Sequence, residues 1–331
     1  MDLTVIWAVI IAFAVAMYVV MDGFDLGIGI LFPRIPVGPD RDQAMNSIAP
    51  VWDGNETWLV LGGGGLMAAF PLAYAIVLPA LYAPLIAMLL GLVFRGVAFE
   101  FRWRDPGHRK IWDAGFCLGS LVATFAQGIT LGALLQGIEV QGRAYTGGWW
   151  DWLTPFSLLT GISLVIAYAL LGATWLIWKT EGALNALARR HALWLLAAFL
   201  LTVGAVSLAT PFLEAQYEDR WFRWPGLIVT ALMPLLFGGA ALAAWLGIRG
   251  RRDWQPFAAT LVMFALTLVG LGISIWPDVI PGRVTIWEAA APPQSQSFML
   301  IGAALLVPII LAYTAWSYWV FRGKVGEHGY H

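Results

Sequence analysis

The 331-residue sequence is 60% hydrophobic and 12% charged, with 19 Lys+Arg against 20 Asp+Glu. A soluble domain carries about a quarter of its residues as charges, so these proportions exclude a water-soluble globular protein or a solvated disordered tail. The balanced charge also argues against a nucleic-acid binder.

Nineteen Trp and 36 Gly suit a helical membrane protein with interfacial aromatics and close helix crossings. A span needs ~20 mainly apolar residues. Nine segments meet that length, at about 4–30, 52–70, 74–99, 113–137, 154–178, 192–212, 225–247, 256–276 and 298–320. The N-terminus lacks a basic region before its apolar run, so the first helix is expected to stay in the mature protein. The fold class is an all-α integral membrane protein, one multi-pass domain over residues 1–331.

The first span carries Met21-Asp22-Gly23-Phe24-Asp25-Leu26-Gly27. Ionisable groups inside a span are costly and are functional candidates by default. The three-residue spacing puts Asp22 and Asp25 on one helical face, and Gly23, Gly27 and Gly29 would let a neighbouring helix approach there. The plainer alternative is that the two acids cap a bend or an end of the helix.

The second span opens with Trp52-Asp53-Gly54-Asn55-Glu56-Thr57-Trp58. Asp53 and Glu56 are again three apart, and both acidic pairs enter from the same side of the membrane. Acids sharing a low-dielectric site suit a proton relay. N-capping would account for Asp53, but less well for the whole polar patch between Trp52 and Trp58. Gly62 to Gly65 follow, best explained by tight packing without a ligand. Phe70-Pro71-Leu72-Ala73 is expected to turn the second and third spans into an antiparallel hairpin.

The third span ends Phe94-Arg95-Gly96-Val97-Ala98-Phe99-Glu100. Arg95 is expected in a buried pair, with Glu100 or with an acid of the first two helices, against the alternative of snorkelling to headgroups. Asp113 is expected to be a helix cap. Past the fourth span, a break near 138–153 would divide the chain into a pseudo-repeat of 1–140 and 150–280 plus the last helix 298–320, although no residue-level similarity supports it.

Fifteen of the 19 Lys and Arg lie in odd-numbered loops or the C-terminus, which predicts an outside N-terminus and a cytoplasmic C-terminus. Haem ligation inside a bundle needs His, or His with Met, from membrane-embedded helices. His108, His191, His328 and His331 all read as loop or terminal residues, and Cys117 is the single cysteine. No metal-ligand set is expected in this chain.

These motifs resemble subunit II of the cytochrome bd family of ubiquinol oxidases. The resemblance rests on Asn46-Ser47-Ile48-Ala49-Pro50 running into the Trp52–Trp58 patch, on Asp22-Gly23-Phe24-Asp25, on the Phe94–Glu100 run, and on Val307-Pro308-Ile309-Ile310-Leu311-Ala312-Tyr313-Thr314-Ala315-Trp316. They follow the family's order along the whole chain, and the short loops are similar to its cyanide-insensitive branch.

The resemblance implies two four-helix bundles plus one helix in the bacterial inner membrane. It implies a partner, subunit I, that binds haems b and d and oxidises quinol while oxygen is reduced to water. This chain would bind no haem; a bound quinone, membrane lipids and a small single-helix accessory subunit are the further partners it allows. It places Asp53 in proton delivery, with Asp25 and Arg95 at polar positions of the same region. The family's residue at the position of Glu56 varies, so the resemblance carries less there. Asp22, Trp52, Asn55, Trp58 and Glu100 complete the expected polar network. The rival reading is a proton- or cation-coupled secondary transporter, which the acidic cluster alone would also suit.

Overall fold

The computed structural model describes residues 2–250 and 252–326. Arg251, which entered the charge count, and His328 and His331 lie outside the described residues. The chain forms α1 (Leu3–Leu31), α2 (Pro39–Asn46), α3 (Trp52–Ala69), α4 (Pro71–Ala80), α5 (Tyr82–Arg104) and α6 (Arg109–Leu135). There follow α7 (Pro155–Lys179), α8 (Gly182–Ala209), α9 (Ala215–Phe222), α10 (Gly226–Arg249), α11 (Trp254–Ile275), α12 (Ile286–Ala289) and α13 (Pro293–Val320). Two small antiparallel hairpins, β1 (Val140–Gln141) with β2 (Ala144–Tyr145) and β3 (Asp278–Ile280) with β4 (Val284–Thr285), sit in the loops at one end.

Eight of these helices are long and apolar enough to cross a membrane, and α3 with α4 forms a bent pair that makes up to nine. Local signals start several of them. Asp2 accepts from Thr4 N at 2.9 Å to cap α1, and Thr154 with Ser157 closes a capping box at α7. α1, α3, α5 and α6 pack as one group and α7, α8, α10 and α11 as another. The groups join where α7 lies on α1 and α6, and α13 rests on α1 and α3.

The hairpin expected at Phe70–Ala73 is instead a three-part turn. Pro71 has no N–H and disfavours helical geometry at the residue before it. Phe70 accordingly leaves the helix at φ −129°, ψ 62°, and α4 continues at 119° to α3. Residues 74–80, expected in the third span, belong to α4, whose Ala73, Ile76 and Ala80 are buried against a cluster that includes Ile280 and Ile286. The third span then begins at Tyr82. The freed carbonyl of Ala69 accepts from Ala291 N at 2.8 Å.

α8 also starts ten residues before the expected 192, so His191, read as a loop residue, is helical and half-buried. Arg189 on the same turns holds this segment in place. Its Nη1 donates to Ile248 O at 2.6 Å, at the end of α10, and it pairs with Asp253.

The glycines of α1 set the central crossing. A Cβ on Gly27 would lie 1.9 Å from Tyr168 O, and one on Gly172 would lie 2.5 Å from Gly27 C, so the α1 and α7 backbones touch. Gly29 likewise receives Ser120 of α6, whose Oγ would be 2.1 Å from an added Cβ. The glycine run of α3 behaves differently along its length. Gly62 and Gly65 face Val15 and Ile11 of α1, whereas Gly63 and Gly64 meet nothing within 4 Å and present bare backbone outward.

Candidate functional site

α1 is one continuous helix through Asp22 and Asp25, so neither acid caps a bend or an end. Both are fully buried on the face that the three-residue spacing predicts. Arg95 of α5 comes down onto them, also fully buried, with Nη2 3.6 Å from Asp22 Oδ1 and 3.8 Å from Asp25 Oδ2. Its Nη1 donates to Glu56 Oε1 of α3 at 2.7 Å, and Trp52 stacks on the guanidinium at 5.1 Å. The pairing expected for Arg95 is therefore with the first two helices. Glu100 stands apart, exposed, 3.9 Å from Arg104 one turn along α5.

Asn55 locks the other side of the cluster. It is buried, its Nδ2 donates to Asp25 Oδ2 at 2.7 Å and to Met21 O at 3.1 Å, and its Oδ1 accepts from Tyr318 Oη at 3.0 Å. Trp58 is fully buried among Ala14, Tyr18 and Met21, with Phe13 edge-on at 5.7 Å. Asp53 points elsewhere. Two residues along a helix is about 200°, so Asn55 facing α1 puts Asp53 on the outer face of α3. It is exposed there. The N-cap position of α3 is Val51, without a side-chain cap, so Asp53 acts on the helix end only through its place in the first turn. Glu56 lies between the two faces, its side chain 27% exposed, and so connects the buried acids to the outer surface near Asp53.

A second ionic group lies at the arginine-rich end of the bundle. Asp113 is not a cap: it is the fifth residue of α6 and accepts from Arg41 Nη1 and Arg102 Nε, each at 2.6 Å. Arg102, 2% exposed, also donates to Asp42 of α2 at 2.6 Å. The group staples the α1–α3 connection onto α5 and α6. Asp113→Ala would leave Arg102 buried with Asp42 alone. It should cost about 3 kcal/mol, read as a lower thermal midpoint of the purified complex; an unchanged midpoint would mean the group is not structural. In the turn before α6, outside the spans, His108 holds the Asp105 carboxyl below its usual range.

The residue reading missed Tyr318, two positions past the final-helix run, and Tyr18, one turn before Asp22. Extending the acidic stripe of α1 by four residues finds Tyr18. Nothing in α13 itself announces that Tyr318 meets Asn55, 263 residues away. Among the described residues no group of three or more His, Cys, Asp or Glu is arranged to hold a metal ion.

The family model for cytochrome bd terminal oxidase subunit II matches residues 3–321. Among similar proteins, the cytochrome bd-I ubiquinol oxidase subunit 2 of Escherichia coli strain K12 is 31% identical, over 97% of this chain and 94% of that one. The cytochrome bd ubiquinol oxidase subunit 2 of Bacillus subtilis strain 168 is also 31% identical, over 97% and 96%. A chain of the bd oxidase of Geobacillus thermodenitrificans has the same fold, with a TM-score of 0.76 and 17% identity, over 98% of this chain and all of that one. With nearly its full length matched by the family model and by relatives at this identity, the chain belongs to the cytochrome bd terminal oxidase subunit II family, whose members are multi-pass proteins of the bacterial inner membrane.

Proposed function

We propose that this chain is the haem-free partner in a quinol:oxygen oxidoreductase, and that its buried acids carry cytoplasmic protons towards the haem-bearing subunit I. Oxygen is reduced to water there with quinol electrons. The observation that carries the proton role is the cluster of Asp22, Asp25, Glu56 and Arg95, closed by Asn55 and reaching the surface through Glu56. Arg102, Arg104, Arg109 and Arg189 gather at one end of the bundle, which the positive-inside rule assigns to the cytoplasm. An ionised acid facing hydrocarbon is costly, so the exposed Asp53 is best placed against the partner subunit, receiving protons through water at that contact.

The partner supplies the redox centres. A pocket of about 350 Å³ between α1, α7, α11 and α13 fits a bound quinone. Phe24, Trp175, Trp178, Phe257 and Tyr318 wall it, and no charged side chain lines it, so an isoprenoid tail and a flat ring suit it better than a polar ligand. A quinone held there would serve as a packing element.

Asp53→Asn should slow quinol-dependent oxygen uptake by roughly tenfold, equivalent to ~1.4 kcal/mol on the rate-limiting barrier, while haem content and subunit ratio stay at wild-type levels. Loss of haem or of the partner in that variant would make Asp53 structural. Full oxidase activity would reject its proton role.

A further inference from the structure

The acidic cluster sets three carboxyl groups against one cation and holds more polar atoms than its neighbours satisfy. Three carboxylates face one guanidinium, and only Glu56 bonds it at contact distance. Both Asp22 oxygens, Asp25 Oδ1, and Arg95 Nε and Nη2 are buried without a hydrogen-bond partner. Buried polar groups are satisfied as a rule, by protein or by ordered water.

The unpartnered atoms continue beyond the acids. Tyr18, Asp22, Asp25 and Gly29 follow a 4-3-4 spacing along one stripe of α1. The Tyr18 hydroxyl is buried beside Asp22 without a well-formed hydrogen bond. α6 runs against this stripe, with Ser120 seated on Gly29, and carries a stripe of its own at Ser120, Thr124 and Gln127. Each of those three has a buried oxygen without a partner. Tyr168 of α7 forms the third wall. Its ring rests on Gly23, and its buried hydroxyl lies beside Gln127 without a well-formed hydrogen bond.

Glu56 and Gln127, at opposite ends of the seam, are its partly exposed members; Arg95 pairs with Glu56, and Tyr318 covers Asn55 one residue away. The α6 stripe of Ser120, Thr124 and Gln127 carries no charge. Beyond Tyr18 the α1 stripe turns apolar at Ala14, fully buried, and then at Trp7.

We propose that the seam between α1, α6 and α7 is an internal-water site, running from Glu56 past Asp22 to Gln127, with Tyr168 and Thr124 as positioning residues. It rests on the proton-carrying reading of the acids and deepens it: water supplies partners to the unbonded carboxyl oxygens and lets protons reach Asp22. Along α1 the file ends where the stripe turns apolar at Ala14.

The test is hydroxyl-radical footprinting of the intact two-subunit complex, read by mass spectrometry, after brief mixing into ¹⁸O-water. Radicals generated on bound water label the side chains beside it. Tyr168 and Tyr18 should label despite full burial, well above Tyr217, which is equally buried but bonded to Leu135 O. Thr124→Val and Gln127→Leu should cut Tyr168 labelling several-fold in complexes of wild-type haem content, and Glu56→Gln should delay ¹⁸O incorporation. Labelling of Tyr168 no higher than Tyr217, or unchanged in both α6 variants, would overturn the site. Slowed turnover in Asp25→Asn alongside a dry Tyr168 would leave the proton route standing without the chamber. A wet Tyr168 with full activity in Asp25→Asn and Asp53→Asn would do the reverse.

Discussion

Exchanging Arg95 for Leu should nearly abolish recovery of the assembled, haem-containing complex. The substitution leaves an apolar stem and strips the only cation that pairs with Asp22 and Asp25 among the described residues, both acids being fully buried. Breaking a buried ion pair from one side costs about 3–5 kcal/mol, because it leaves the remaining buried charge uncompensated. At the middle of that range the folding equilibrium constant falls by roughly a thousandfold relative to wild type, which takes up much of the stability of an ordinary domain. Neutralising the acids along with the arginine removes that penalty. The combined Asp22→Asn, Asp25→Asn, Arg95→Leu variant should therefore be recovered better than Arg95→Leu alone, although it should be slow in turnover. Yield and thermal midpoint of the purified complex read both effects. A single variant as stable as wild type would mean that the cluster does not depend on its cation.

The second large effect is steric. Gly27→Ala adds one methyl where the backbone of Tyr168 stands 1.9 Å away, so the neighbour to be displaced is a carbonyl of α7, not a flexible side chain. Overpacking costs about 1–3 kcal/mol where side chains can adjust, and a rigid backbone contact belongs at or above the upper end. Separation of α1 from α7 would also disturb Tyr168 and the face bearing Asp25, so activity should fall with stability. Gly204→Ala is the contrast. Gly204 is helical within α8 and has nothing within 4 Å of an added Cβ, so that change should be neutral or stabilise by up to about 1 kcal/mol. Equal thermal midpoints for the two variants would count against the α1–α7 contact as described.

Burial of Asp22 and Asp25 was legible because a three-residue spacing in a strongly apolar helix admits one face and little else. The Arg95 partnership was legible only as a set of options, since Glu100 is near in sequence and the two aspartates are near in space. Helix geometry decides between them: Glu100 lies five residues on, where it turns outward to Arg104. Asp113 was misread because an acid near a helix start looks like a cap from sequence alone, and its role depends on Arg41 and Arg102 arriving from two other elements.

The sequence by itself determined the membrane class, most of the spans, the acidic face of α1 and the family, since each follows from local composition, period or contiguous motif. The tertiary structure decided that α3 breaks into α4 at Phe70, that Asp53 faces outward while Asn55 and Glu56 face the cluster, and that Tyr18, Tyr168, Thr124 and Gln127 share a seam with Asp22. Those outcomes depend on the rotation of each helix about its axis and on contacts between residues as far apart as Asn55 and Tyr318. In an apolar chain, spans are polar enough to be told apart at only a few positions, so the pattern of hydrophobicity leaves that rotation undetermined. Backbone contact at Gly27 and Gly172 fixes it.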